Sequence, residues 1–493
     1  MNFKLPTFKT YCILSAALLV NEVASYVGYR YTQLGNVLFA LITIATVVLA
    51  WKRLEWGLAV VLAELFIGGK GYLYSVHLDG LTLSIRIALF CAIAVVWLLR
   101  YRAKTNWRAI PSMLQWSTLG LGAFIIWGIL HGIIAHHGLQ AVYFDANAYL
   151  FFLLLVVLLA PSIDWKRFGT TIIVIIAATA TVLGLKSLVS LGMFAHFNVA
   201  GLAQYYRWIR NTGVGEIAYI SGSSYRVFFQ SQIYGMFALF ILAPFVLPKQ
   251  GISLRRKLWL FIPMTFGLSA VLISLSRSFW VGGALAVVAG VILGFIKYRW
   301  NVRQSVGIIG VSVLLFVVAY TLMSWSLNFP YPYNFSRGSN ANKLIKERFT
   351  HFGGEAAASS RLQLLGPLTD AILKNPIFGS GFATTVTYQS NDPRQLQSPS
   401  KGMFTTDAFE LGYLDIALKI GVLGLGAYLA VLWIILRRLW NVRTDTAFGA
   451  LIAVVALMGV HLTTPYLNHP LGIGLLLIAF VVAFAPTPEP WRT

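Results

Sequence analysis

Apolar stretches of bilayer-spanning length follow one another along most of this chain, parted by short polar junctions. Each is close to the ~20 residues that a helix needs to cross a hydrocarbon core. In the first half the spans fall at about 10–28, 33–50, 55–70, 81–99, 113–134, 146–161 and 169–189. In the second they fall at about 229–247, 257–275, 279–297, 304–324, 409–435, 446–463 and 469–486. The pattern predicts an all-α polytopic membrane protein of about 14 transmembrane helices, organised as one membrane domain over residues 1–493. A long outer-face loop, 325–409, is expected between helices 11 and 12.

Composition removes the soluble alternative, since 58% of residues are hydrophobic, only 11% are charged and the mean hydropathy is +0.74. A formal charge of +22 would suggest nucleic acid in a soluble protein. Here the basic residues form tight clusters between spans, so no nucleic-acid partner is expected and the charge reports topology. With a cytoplasmic amino terminus, Lys52 and Arg53, Arg100 to Arg108, Lys166 and Arg167, Lys249 to Lys257, Lys297 to Arg303, and Arg437 to Arg443 all fall inside. The carboxyl terminus falls there too. The first apolar run follows a short basic stretch, lacks a small-residue cleavage site and reads as a retained helix. Arg30 and Lys70, at outward span edges, suit snorkelling. Cys12 and Cys91 lie within spans and read as small packing residues, with no disulfide framework.

Arg277 runs against this distribution, because SLSRSFWVGG puts it at a junction of a few residues on the outward side. Two longer outward segments accompany it. The first, about 192–228, carries Tyr205, Tyr206, Arg207, Trp208, Arg210 and Arg226. The second, 325–409, opens with the aromatic, turn-rich NFPYPYNFSRGSN, which suits the headgroup level. An amphipathic helix is expected near 359–374, capped by Ser359 or Ser360, with Leu362, Leu365, Leu368 and Ile372 as its apolar stripe. Gly366 and Pro367 would kink it and Pro376 would stop it. Gly379 and Gly381 in NPIFGSGF allow close approach to a ligand or a neighbouring helix. QSNDPRQLQSPSKG has the composition of a mobile lid.

The chain contains no HExxH, CxxC, GxSxG or GxxxxGK[ST], its eight histidines are scattered, and His136 and His137 are adjacent rather than at ligand spacing. His461 and His469 flank the turn TTPYLN. Neither metal nor nucleotide chemistry is therefore expected, and no cofactor. What remains outward is a set of arginines, Arg210, Arg226, Arg277 and Arg361, with a few carboxylates. A planar guanidinium at the membrane surface grips phosphate in bidentate fashion, or serves a headgroup or a salt bridge. Glu410 opens the twelfth span, where a carboxylate either complements the helix dipole or acts as a base. Asp407 suits the capping task and Asp415 with Lys419 an i,i+4 pair, which leaves Glu410 for chemistry. Glu64 and Arg86 are expected to pair, and Glu22 lies in the outer part of the first span.

RVFFQSQIYGMF, SLSRSFWVGG, SRLQLLGPLTDAILKNPIFGSGF and YLDIALKIGVLGLGAYL, with the long late loop, together resemble the O-antigen ligase and polymerase superfamily, mainly over residues 220–435. Its members are bacterial inner-membrane glycosyltransferases that use undecaprenyl-diphosphate-linked glycans. The resemblance implies an outward-facing site, a lipid-diphosphate glycan donor, and a glycan or lipid-linked acceptor. It also implies a bilayer setting alongside polysaccharide-assembly proteins. Arg226 and Arg277 would bind the donor diphosphate, with Arg277 also counted as catalytic, and Arg361 would begin the loop helix that roofs the cavity. Where many ligases of the superfamily carry His-Asn before Tyr-Leu, this chain has Glu410 and Leu411 ahead of Gly412, Tyr413 and Leu414. A carboxylate base in place of histidine favours a polymerase of surface polysaccharide over an O-antigen ligase acting on a lipid A-core acceptor. A lipid-linked glycan flippase is the alternative of another class; it predicts charges about a midplane site and paired repeats, and no convincing repeat is evident.

Overall fold

The computed structural model describes residues 6–78, 81–160, 162–221, 224–246, 258–329, 341, 345–346, 356–391, 396 and 402–484. It is an all-α polytopic membrane protein. Helices α1 (Phe8–Arg30), α2 (Thr32–Lys52), α3 (Leu54–Ile67), α4 (Ile85–Val96) and α5 (Ser112–Ile134) open the bundle. A broken span follows, α6 (Leu139–Ala146) and α7 (Leu153–Leu158), and then α8 (Trp165–His196) and the short α9 (Ala203–Asn211). The second half comprises α10 (Ile233–Val246), α11 (Phe261–Ser274), α12 (Arg277–Tyr298), α13 (Val302–Asn328), α14 (Ala356–Lys374), α15 (Gly412–Asn441), α16 (Asp445–His461) and α17 (Pro470–Phe484). Among the described residues, eight helical segments are long and apolar enough to cross a membrane unaided, and shorter apolar helices accompany them.

Three antiparallel hairpins were not foreseen: β1 (Ser75–Leu78) with β2 (Leu81–Ser84), β3 (Gly215–Ser221) with β4 (Ser224–Phe229), and β5 (Val386–Gln389) with β6 (Met403–Thr406). Chain order puts all three at the same ends of the helices, opposite the basic clusters, and that hairpin face carries the candidate site. The fourth expected span is corrected by the first hairpin. Residues 81–84 are strand, and Ser84 then caps α4 by accepting the Ile87 N–H at 3.3 Å. The sixth span begins earlier than expected, at Leu139, and a 3-10 stretch over Asn147–Phe152 interrupts it.

In α8, 83% of the most apolar window is buried, against 22% in α2 and 17% in α13, so α8 is the axis and the others face lipid. α17, PLGIGLLLIAFVVAF, is buried on every side. Tight packing here rests on small residues, as at Gly235 and Gly267, where a Cβ on either would meet the other's carbonyl oxygen at 2.7–2.8 Å. Cys12 and Cys91 are exposed on outward helix faces rather than packed inside.

The late loop departs from expectation in three places. α14 starts at Ala356, so Ser359 and Ser360 are internal; Ser360 Oγ accepts the Asn391 N–H at 3.1 Å and holds the loop. Its buried stripe is Leu364 and Leu368 with Ala371 and Ile372, whereas Leu362 is 70% exposed. Pro367 lies inside the continuous helix, and the helix ends two residues before Pro376. Asp407 does not cap α15, whose cap position is Leu411 with no side-chain bond. NFPYPYNFSRGSN beyond Phe329 and most of QSNDPRQLQSPSKG lie outside the described residues.

Candidate active site

Between α11 and α12 the chain reverses within two residues, through Leu275 in the left-handed region (φ 48°). A branched apolar residue adopts that conformation only under tertiary constraint. Ser274 supplies part of it, donating its hydroxyl to the Val271 carbonyl (2.6 Å) and accepting the Ser276 N–H (3.2 Å). Arg226, on β4, supplies more: its Nε–H donates to the Ser274 carbonyl at 3.0 Å, one of the orphan acceptors of a helix end. Its guanidinium lies over the Phe228 ring at 4.9 Å. Arg277 is the first residue of α12, where the exposed amide dipoles are also positive. The Arg226 guanidinium and the helix N-terminus that begins with Arg277 thus meet at one short reversal, an arrangement suited to a phosphate group.

The wall beside this junction is the turn between α16 and α17. Ser278 hydrogen bonds to Thr464 Oγ1 (2.5 Å) and accepts from Thr463 Oγ1 (3.1 Å). Tyr466 donates its hydroxyl to the Gln230 carbonyl at 2.8 Å. Burial pushes the Tyr466 phenol up and the neighbouring Arg226 charge opposes that, so Tyr466 stands as a neutral hydrogen-bonding group. His469 is pushed down to about 3, first by burial and then by the charges of Arg86 and Lys70. The expected Glu64–Arg86 pair forms at 3.0 and 3.1 Å, and Arg86 also donates to the Gly69 carbonyl (2.6 Å).

Glu410 reaches the same end of the bundle by another route. Two residues on, Gly412 packs against the His461 ring so closely that no Cβ fits. Tyr413 meets that ring edge-on at 4.6 Å. His461 closes α16, and the next residues but one are the threonines on Ser278, adjacent to Arg277. Nδ1 of His461 accepts the Leu467 N–H (3.1 Å), which places the ring proton on the buried Nε2. Glu410 is exposed and forms an ion pair with Arg361 through Nε and Oε2. The carboxylate left without a structural task by the sequence therefore has one, and Arg361 is its partner.

Beneath lies the segment NPIFGSGF. Ser380 N–H donates to the Leu418 carbonyl (2.7 Å), Gly381 N–H to Lys419 (3.1 Å) and Phe382 N–H to Gly128 (3.0 Å). α15 kinks at Gly421 (φ 76°), which frees the Leu418 and Lys419 carbonyls, and the segment takes them up. Gly379 and Gly381, both at positive φ, serve this approach to neighbouring helices; a Cβ on Gly379 would sit 2.5 Å from the Gly421 nitrogen. Lys419 bridges Asp415 (2.6 Å), as the i,i+4 spacing implied, and also Asp145 (2.5 Å). Asp145 in turn accepts the Ala383 N–H at 2.8 Å.

Arg226, Arg277, Arg361 and Glu410 thus gather at one end of the bundle. Arg210 does not join them: on α9 it pairs with Glu216 at 3.2 Å and lines a separate cavity with Lys70. Sequence reasoning missed Ser278, Thr463, Thr464 and Tyr466, although TTPYLN stood out as a turn. It also missed the partner of Glu22, which is Lys186 at 2.6 Å, buried against Trp208 and Phe229.

Residues 262–429 match the family model described as O-Antigen ligase. The matched segment runs from α11 through the kink of α15 and contains Arg277, Arg361, Glu410 and the NPIFGSGF segment. No curated protein matches the chain. That match, over about a third of the chain, supports a relationship of this segment to the O-antigen ligase and polymerase superfamily.

Proposed function

We propose that the protein is a membrane glycosyltransferase that polymerises an undecaprenyl-diphosphate-linked oligosaccharide on the outer face of the bacterial inner membrane. The supporting observation is the placement of Arg226 and Arg277 at one tight junction, beside the N-terminus of α12. There a diphosphate leaving group meets preorganised positive charge, which stabilises the charge developing on it. The acceptor hydroxyl oxygen bonds to the anomeric carbon as the bond from that carbon to the diphosphate oxygen breaks, and the electron pair leaves with the diphosphate. Glu410 takes the hydroxyl proton. Arg361 binds Oε2 and orients the carboxylate, while the half-exposed side chain leaves Oε1 accessible to the acceptor. A single in-line displacement inverts the anomeric configuration. The arginines take the place of a metal cation at the diphosphate, so the reaction proceeds with chelator present.

The family description favours a second reading, attachment of the glycan to a lipid A-core acceptor. Donor chemistry is common to both, and the acceptor divides them. The test is purified protein with lipid-diphosphate oligosaccharide and each acceptor in turn, with chelator, the new linkage being read by NMR. An inverted linkage with one lipid diphosphate released per bond supports the mechanism; a retained configuration or chelator-sensitive turnover contradicts it.

A further inference from the structure

A cavity of about 680 Å³ opens on the hairpin face between the α1–α2 turn, the β1–β2 hairpin and α9, outside the residues of the family match. Its volume falls within the roughly 300–1,000 Å³ of ligand pockets. The lining is unlike a lipid-facing groove. Tyr29 and Tyr72 offer half-buried rings, Thr32 and Asn211 offer hydrogen-bonding side chains, and Lys70 and Arg210 offer positive charge. Asn211 donates to the Tyr29 hydroxyl at 2.8 Å and so fixes that ring. Arg210 is tied to Glu216, whereas Lys70 is exposed and has no carboxylate partner among the described residues. A sugar ring presents C–H groups on its faces and hydroxyls at its rim. Tyrosine rings flanked by amide, hydroxyl and ammonium groups match both surfaces at once.

The cavity is also physically joined to the arginine junction. Lys70 follows Gly69, whose N–H donates to Ser231 Oγ (3.0 Å) and whose carbonyl accepts from Arg86 (2.6 Å). Ser231 follows Gln230, the acceptor of Tyr466 at the end of β4, the strand that carries Arg226. Lys70 therefore stands between the two.

We infer that this cavity is an oligosaccharide subsite, holding sugar units of one substrate while the diphosphate is held at Arg226 and Arg277. This rests on the glycosyltransferase reading for its role in turnover, but not for the binding itself. The sugars belong either to the acceptor or to the distal part of the donor.

The direct test uses full-length protein in nanodiscs and oligosaccharides released by mild acid from the producing cell's own surface polysaccharide. Saturation-transfer NMR should report binding that weakens about tenfold or more in Tyr72→Ala and in Lys70→Gln, changes of about 1.4 kcal/mol. Arg277→Ala should bind as wild type does. Turnover then assigns the source: a KM raised for the acceptor alone, or for the donor alone, each supports the subsite. Wild-type binding without any transfer leaves the subsite standing and removes the glycosyltransferase reading. Undiminished oligosaccharide binding in the Lys70→Gln/Tyr72→Ala double variant overturns the inference. So does loss of bound phosphatidylglycerol by native mass spectrometry with the oligosaccharide isotherm unchanged, which would assign the cavity to a lipid headgroup.

Discussion

Arg226 donates its Nε–H to the carbonyl of Ser274 at 3.0 Å, so a strand of one hairpin fastens the reversal that presents Arg277. Arg226 thereby helps to fix the turn on which Arg277 begins its helix.

Arg277→Ala should lower turnover about 10²–10³-fold with the protein still folded, the size of losing a preorganised donor to developing charge. Arg226→Ala should do the same and also loosen the 274–277 turn, which an increase in amide exchange there would register. Arg226→Lys should stay well below wild type, because an ammonium cannot bond both the carbonyl and a phosphate in a fixed plane. Steady-state rates with lipid-diphosphate donor check all three.

Glu410→Gln removes the proposed base and should reduce kcat about 10²–10⁴-fold with donor KM little changed. Arg361→Met leaves the carboxylate but frees it from its partner. Its kcat should fall less than that of Glu410→Gln, because the base remains but is no longer held in place by its partner.

Gly379 sits at φ 78°, and a Cβ added there would lie 2.5 Å from the Gly421 nitrogen. Gly379→Ala should cost about 1–3 kcal/mol from strain and collision together. Gly120, which has nothing within 4 Å of an added Cβ, is the control. Gly120→Ala should leave the melting temperature in detergent unchanged or slightly raised.

Lys419→Met strands Asp145 and Asp415, both ion-paired to it in a nearly dry setting. The expected loss is about 3–5 kcal/mol, the cost of a buried charge left alone. Lys419→Met/Asp415→Leu should recover part of it. Thermal unfolding of the two variants in one detergent provides the comparison.

Stability should depend on pH through His469. Its proton affinity in the folded chain is pushed from the ordinary 6.5 down to about 3, by burial first and then by Arg86 and Lys70. Between those values the unfolded chain binds a proton that the folded chain does not. Stability is thus fully present above pH 6.5 and falls as the pH drops toward 3, by up to about 1.4 kcal/mol per pH unit. Comparing wild type with His469→Asn at about pH 5 and about pH 7 should show a flatter dependence in the variant.

The span pattern was legible because a bilayer imposes length and satisfied backbone on every crossing segment. Which helices lie inside was not, since lipid tails are as apolar as Leu: α2 and α17 read alike, yet one faces lipid and the other is enclosed. The i,i+4 spacing revealed Asp415 with Lys419, and burial of opposite charges in adjacent spans revealed Glu64 with Arg86. Asp145, 274 residues from Lys419, carried no local signal. Arg226 and Arg277 could be named singly, but the bond of Arg226 to Ser274, three residues before Arg277, depends on a hairpin that interrupts the helical pattern. Glu410 with Arg361 is a pairing across the long loop, which periodicity does not reach.

The most direct test of a lipid-diphosphate glycosyltransferase is chain lengthening by purified protein in nanodiscs, from undecaprenyl-diphosphate oligosaccharide alone. Wild type should build longer glycans and release one lipid diphosphate per bond, and Arg277→Ala and Glu410→Ala should build almost none. Undiminished lengthening in both variants, or arrival of substrate on the opposite leaflet with no new glycosidic bond, would contradict the account.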